Sequence, residues 1–289
     1  MSPKKSKKKN DKNSGLISTA FEASLTASKM AIQVPVTYFQ KICFWIGFSV
    51  VCSCLVFVLA VAAFLSSLPD VSDMKFSELR QTAEKVVARR LEVKAKKFKW
   101  VKLRDVSRDY LYSIVMSEDG QYFEHGGINY DSLLNSLAVN IQKKRFAVGG
   151  STISQQVTKN LFLSNSKTLI RKFKEILITR ELESNFTKNE ILEIYLNMIE
   201  VGPDIYGINA ASHTYFKKSP KKVNAAEGGF VALMLPSPKR NHYSIFVNKN
   251  ISSSHRKKLK RILKDMRYHE FISPSQFKTY SNYSFFKKN

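Results

Sequence analysis

Thr187-Lys-Asn-Glu190-Ile-Leu-Glu-Ile-Tyr-Leu-Asn197 is the stretch that decides the fold class. Thr187 and Glu190 stand three apart, the spacing at which two side chains each satisfy a backbone N–H at a helix start. Behind them Ile191, Leu192, Tyr195, Leu196 and Ile199 recur at the spacing of a helix with one apolar stripe. Outward from this segment the same signal repeats. Thr168–Glu183 carries Leu169, Phe173, Ile176 and Leu177 at helical spacing, and His255–Tyr268 places Leu259, Ile262, Leu263 and Met266 on one face. Ser273-Pro-Ser-Gln276 reads as a further helix start, with proline tolerated in the first turn. Residues 76–97 read as a charged helix with Leu79, Ala83, Val86 and Val87 near one face, resting on anionic headgroups or simply solvated. Gly126–Gly127 and Gly149–Gly150 mark turns. Strand signals are few and short, there is no internal repeat, and the expected fold is mainly α.

The chain has 289 residues, room for one good-sized domain and accessory segments. Its 47 Lys and Arg against 23 Asp and Glu give a formal charge of +24, which calls for an anionic partner: nucleic acid, an acidic membrane or a phosphorylated substrate. One segment narrows that choice. Ile42–Leu68 contains no charged side chain. As a helix it would span roughly 40 Å at ~1.5 Å per residue, enough for a hydrocarbon core about 30 Å thick. A cleaved signal peptide would have an apolar stretch of only about 7–15 residues, so an anchor is expected instead. Residues 1–41 hold eight Lys and two acidic residues, among them Lys4, Lys5, Lys7, Lys8, Lys9 and Lys12. This bias keeps the N-terminus in the cytoplasm and places everything after Leu68 outside. Cys43, Cys52 and Cys54 all fall in the apolar segment, so cysteine provides neither disulfide, metal site nor nucleophile to the outer part.

Three segments of the outer part could carry chemistry. Glu118-Asp-Gly-Gln-Tyr122-Phe-Glu-His125-Gly-Gly127 sets two carboxylates at the end of the apolar stretch Leu111–Met116, a place suited to general base work. Gly149-Gly-Ser-Thr-Ile-Ser-Gln-Gln-Val-Thr-Lys159-Asn160 runs from glycines through hydroxyls into a helix, whose start attracts anions. There Gln155 and Lys159 share one face, and Gln156 and Asn160 another. Arg171-Lys-Phe-Lys174-Glu175 puts cations and a carboxylate side by side, suited to a pyrophosphate with its metal ion. Each alone also reads as ordinary surface. No C-x-x-C, H-E-x-x-H or G-x-x-x-x-G-K pattern points to zinc or nucleotide.

Taken in order, the three segments resemble the signature motifs of glycosyltransferase family 51, the peptidoglycan glycosyltransferases. The first is similar to E-D-x-x-F-x-x-H-x-G with Tyr122 in place of Phe, the second to G-G-S-T-I-x-Q-Q-x-x-K-N with Ser154 at the variable place, the third to R-K-x-K-E. Lys188–Asn197 and Tyr206–Phe216 resemble the fourth and fifth motifs. The likeness covers 118–216 and continues more weakly to Pro238. About fifty residues follow Pro238, too few for the transpeptidase domain of bifunctional relatives. Ser164-Asn-Ser-Lys167 matches S-x-x-K, but no K-T-G follows. The chain is therefore similar to the monofunctional biosynthetic peptidoglycan transglycosylases.

The resemblance implies a lysozyme-like, mainly α glycosyltransferase domain after a single N-terminal transmembrane helix. It divides the chain into a basic cytoplasmic tail without regular structure (1–41), the transmembrane helix (42–68), a membrane-proximal helical segment (69–104), the glycosyltransferase core (105–250) and a basic C-terminal helical extension (251–289). The implied reaction joins lipid II to a growing lipid-linked glycan through a β-1,4 bond and releases undecaprenyl pyrophosphate. Glu118 is the expected base. Lys159, Arg171 and Lys174 would stabilise the leaving pyrophosphate. Glu175 would hold a divalent cation, magnesium or manganese, or orient the cations. Ser151, Thr152, Gln155, Gln156 and Asn160 would contact sugar or phosphate, with Asp119 and His125 supporting the loop. No organic cofactor is expected. Membrane lipids and other cell-wall synthesis proteins are the expected partners at a bacterial inner membrane, with the catalytic domain periplasmic. From residue 69 onward 39 Lys and Arg face 21 Asp and Glu, a surface of +18 that suits headgroups and pyrophosphate without nucleic acid. The rival readings are a lysozyme-like hydrolase and a non-enzymatic basic membrane scaffold.

Overall fold

A computed structural model describes residues 10–91, 98–144, 149–164, 166 and 168–286. Lys4 to Lys9 and the last turns of the helix expected over 76–97 lie outside these residues. The chain divides into two units, Met1–Ser67 and Leu68–Asn289.

The first unit is the helix α1, Asn10–Ser66. Its stretch Val36–Ser66 is long and apolar enough to cross a membrane. All three cysteines are free thiols on it. The tail expected to lack regular structure is helical from Asn10 onward. Between Leu16 and Val34 the sequence has no glycine or proline and is rich in Ala, Leu, Ile and Met. That composition favours helix within the run, on the N-terminal side of Pro35.

Among its described residues the second unit is built of helices, their connecting loops and one short hairpin. Its elements are α2 (Phe76–Leu91), α3 (Arg108–Glu118), α4 (Tyr130–Gln142), α5 (Ile153–Phe162), α6 (Leu169–Asn185) and α7 (Lys188–Met198). Next come the antiparallel strands β1 (Glu200–Gly202) and β2 (Ile205–Tyr206), then α8 (Gly207–Phe216), α9 (Ala225–Met234), α10 (Pro238–Asn241), α11 (Ser253–Tyr268) and α12 (Pro274–Ser281). α7 opens on the Thr187–Glu190 capping box and α12 on the Ser273–Gln276 one, as their sequences predict. α9 is buried on every side. It forms the hub on which α3 and α11 pack, while α5 packs against α6 and α7.

The segments expected to flank the core belong to it. α2 buries Leu79, Ala83, Val87 and Leu91 and packs on α7 and α5. α11 buries Leu259, Ile262, Leu263 and Met266. Both therefore share the core of Leu68–Asn289 with the expected 105–250 domain. α6 forms where its spacing predicts, but its stripe faces the other way. The buried residues are Glu175, Ile178, Thr179 and Leu182, whereas Leu169 is 89% exposed and Phe173 54% exposed. α4 shows the same inversion: Tyr130, Leu134, Leu137 and Ile141, a single helical stripe, all face outward.

Candidate active site

Glu118 is the last residue of α3. Ser117 Oγ donates to its Oε1 and Gln156 Nε2 to its Oε2, each at 3.3 Å. These are long bonds, so the carboxylate keeps lone pairs for another donor. It lines a cleft of about 260 Å³ together with Ser117, Asp119, Gly120, Gln121, Asn129, Ser132 and Gly149–Thr152. Tyr195 of α7 is buried close by. Burial first, and then the charges of Glu118 and Asp119, push its phenol well above the ordinary range.

Asp119 ties the first segment to the second. Its carboxylate accepts from His125 Nε2 at 3.0 and 3.1 Å and from the Ile153 N–H at 3.0 Å. The Gly127 N–H donates to His125 Nδ1 at 3.1 Å, which leaves Nε2 as the protonated nitrogen. An anion at the first residue of α5 also complements the helix dipole. Thr152 caps α5 and donates to the Gly127 carbonyl at 2.6 Å, while Gln155 Oε1 accepts the Thr152 N–H at 3.0 Å. Gly150 is required by space, because a Cβ there would fall 2.3 Å from Ser136 Oγ on α4.

This bonding bears on two of the expected contact residues. Thr152 and Gln155 are 2% and 1% exposed, Thr152 at the wall of the cleft and Gln155 beneath it. They close the capping box, which uses Thr152 Oγ and Gln155 Oε1. Ser151 stays exposed in the cleft and Gln156 is half-buried against Glu118.

Tyr122, the departure from the motif, is fully buried, and its hydroxyl donates to the Lys188 carbonyl at 2.8 Å. Ser154, at the variable place, donates to the Glu183 carboxylate.

Beyond Glu118 the cations gather. Glu175 is 2% exposed and receives Arg171 at 2.6 Å and the ammonium of Lys172. Lys172 also reaches Ser151 Oγ at 3.3 Å. Lys159 is half-buried among Glu175, Arg171, Lys172 and Arg90. Burial first, and then its cationic neighbours, push its ammonium below the usual lysine range against the pull of Glu175. Arg90 of α2 donates to Asn160 Oδ1 at 3.2 Å, and Asn160 Nδ2 donates to the Gln156 carbonyl at 2.8 Å. Two cations thus pair with Glu175 while Lys159 and Arg90 stand close by, a local excess of positive charge that an anion would balance. Gln155 Nε2 and Arg171 Nε are buried without a hydrogen-bond partner among the described residues.

Lys174 is half-buried on α6 beside Glu175. Lys172 and Arg90 were missed from sequence. Lys172 stands three residues before Glu175, a spacing that was there to be read. Arg90 reaches Asn160 across 70 positions and had no local signal. A metal ion does not fit at Glu175, because both oxygens already serve cations in the interior. Among the described residues no group of three or more His, Cys, Asp or Glu could hold one.

A family model described as Transglycosylase matches residues 83–267, more than half of the chain. The chain belongs to the transglycosylase family. Its matched region begins within α2 and ends within α11, so the family's domain includes the two helices that sequence reading had set outside the core. Among transglycosylase relatives, a biosynthetic peptidoglycan transglycosylase of Thiobacillus denitrificans is 40% identical over 146 residues, covering 50% of this chain and 63% of the relative. One of Paraburkholderia xenovorans is 44% identical over 140 residues, 48% and 58% of the two chains. One of Aromatoleum aromaticum is 38% identical over 169 residues, 58% and 72%. The chain thus spans about three-fifths of the length of the first relatives it matches. The mainly α domain behind one long apolar helix agrees with the lysozyme-like architecture that the motifs imply.

Proposed function

We propose that this transglycosylase polymerises lipid II into β-1,4-linked glycan for the cell wall. The observation that carries the proposal is the pairing of Glu118, in an open cleft, with the cation cluster organised by buried Glu175. A sugar hydroxyl is a poor nucleophile near neutral pH and gains from a carboxylate that takes its proton. In this reading Glu118 removes the proton of the acceptor's 4-hydroxyl. That oxygen bonds to the donor's anomeric carbon on the face opposite the pyrophosphate. The old C–O bond breaks, and its electron pair leaves with undecaprenyl pyrophosphate. Lys159, Arg171 and Lys172 stabilise the departing charge. Ser151, Gln156, Asn160 and Lys174 supply further polar contacts. Glu175 fixes the cations rather than touching substrate, while a divalent cation would travel with the pyrophosphate.

The lipid nature of the substrate draws support from two outward apolar faces. Leu134 and Leu137 of α4, and Leu169 and Phe173 of α6, are exposed on helices that border the Gly149–Thr152 loop. Large apolar side chains left in water mark a lipid or partner contact. We place the apolar span of α1 in a bacterial inner membrane, with the basic N-terminus cytoplasmic and the domain periplasmic. Other cell-wall synthesis proteins would meet it there.

The deciding experiment gives full-length protein lipid II and, separately, finished glycan. Polymer from lipid II, lost in Glu118→Gln, is expected. Cleavage of glycan with no polymer would replace this reading by a lysozyme-like hydrolase. Wild-type rates in Glu118→Gln would remove Glu118 as base.

A further inference from the structure

Glu183 is a carboxylate the chemistry above does not use. It stands near the end of α6, just over two turns beyond Glu175, and its side chain is 9% exposed. Its partners come from three other segments. Ser154 Oγ in the first turn of α5 donates to Oε1, and Lys188 Nζ at the start of α7 donates to the same oxygen at 2.8 Å. The Lys188 ammonium also lies 4.5 Å from the centre of the Tyr122 ring. The third contact is with backbone. Gly127 has a φ of +85°, and a Cβ on it would fall 2.6 Å from Glu183 Cγ and 3.0 Å from Thr179 Cγ2. Glycine alone lets the turn close against α6 in this way.

That turn leads to the base. The Gly127 carbonyl accepts from Thr152 Oγ, and its N–H donates to His125, whose Nε2 holds Asp119. Asp119 is bonded in turn to the Ile153 N–H and follows Glu118 directly in the chain. Glu183 therefore touches both pieces that Asp119 joins, the Gly127 turn and the first turn of α5. Between Glu175 and Glu183, Thr179 Oγ of α6 donates to Thr158 Oγ of α5 at 3.0 Å. At the other end of the same helix lie Arg171, Lys172 and Glu175. α6 contains no glycine or proline, and the eight positions from Glu175 to Glu183 cover roughly 12 Å at ~1.5 Å per residue. One rigid element thus carries the cations at one end and meets the base's loop at the other.

We propose that Glu183 is a positioning residue for the base: by pinning the Gly127 turn and the start of α5 to α6, it sets the separation between Glu118 and the cations around Glu175. The inference rests on the polymerase reading given above. The acceptor's proton is taken at one end of the site while the pyrophosphate is held at the other. A loop displaced by about an ångström would therefore slow turnover steeply without loosening the held anion. The requirement is for reach. Contact with Gly127 and Ser154 needs the full length of the side chain, and a carboxylate or an amide oxygen can accept from the Ser154 hydroxyl.

The test measures kcat and KM for lipid II polymerisation by full-length protein in lipid nanodiscs, at a temperature where melts show each variant folded. Glu183→Ala is expected to lower kcat about 10- to 100-fold with KM within about threefold. Glu183→Asp keeps the charge but is one methylene short, and should be impaired nearly as much. Glu183→Gln keeps the reach and loses the charge, and should stay within about threefold of wild type in kcat. Wild-type kcat in folded Glu183→Ala overturns the proposal and leaves Glu183 a role in stability alone. So does Glu183→Asp outperforming Glu183→Gln, because charge rather than reach would then matter. A loss in Glu183→Ala that falls on KM with kcat unchanged overturns it as well. If Glu183→Ala fails to fold, the order of Glu183→Gln and Glu183→Asp decides. A wild type that makes no polymer overturns the polymerase reading itself, and this inference with it.

Discussion

Glu175 shows how a side chain can serve a site without facing the substrate. It is buried, and both oxygens hold cations, so Glu175→Gln should free Arg171 and Lys172 to swing apart. Removing one partner of a buried pair costs stability as well as function. A drop of at least about 10-fold in polymerisation and a lower Tm are expected, read by lipid II turnover and thermal melting. Manganese titration of the free protein should be the same for wild type and Glu175→Gln. Tyr122 makes the opposite case. Its hydroxyl bonds a carbonyl in the first turn of α7, a group the helix can also satisfy. Tyr122→Phe should therefore cost about 1 kcal/mol or less in denaturant melts and leave turnover near wild type. Glu118, Lys159 and Arg171 could be singled out from sequence because each belongs to a short string with a chemical rationale. Arg90 could not, because it reaches the site from a helix far away in the chain.

At the scale of elements, periodicity identifies helices but does not say which stripe meets the core. α6 has two candidate stripes, and the one with the larger side chains is outside, because Glu175 must lie inward among its cations. α9 carries no stripe at all, since it is surrounded. The outward stripe of α4 is testable. Leu134→Ser combined with Leu137→Ser removes apolar groups that bury nothing in the domain, so stability should change by less than about 0.5 kcal/mol. Binding to phospholipid vesicles should weaken and the apparent KM for lipid II should rise. Unchanged vesicle sedimentation would show that this face meets something other than lipid.

For the whole molecule, buried cations link function to stability. Lys159 is pushed below its ordinary range chiefly by burial, so its charged form is disfavoured in the fold. Below the lowered folded value Lys159 carries its charge in both states, and the folded state bears the full penalty. The penalty eases as pH rises through that value and is gone above about 10.4, where the unfolded lysine also loses its proton. Lys159→Met should therefore melt higher than wild type at pH 7. That gap should close as melts are repeated toward alkaline pH, while polymerisation is lost at every pH. A wild type that melts above Lys159→Met at pH 7 would mean that attraction to Glu175 outweighs burial.

The sequence by itself determined the mainly α class, the apolar span, the order of the chemical segments and the capped starts of α7 and α12. Those features rest on local physics: capping boxes, stripe spacing and uncharged length act between residues close in the chain. Only the tertiary structure decided that α2 and α11 belong to the core, that Thr152 and Gln155 build the loop, and that Lys172 shares Glu175 with Arg171. It also decided which stripes of α4 and α6 face outward. Each of these depends on which surfaces meet across the fold. Two adjacent glycines on α9 let α3 and α11 approach it closely, and Ser113 of α3 thereby meets both Gly228 and Met266, contacts that no local pattern spans.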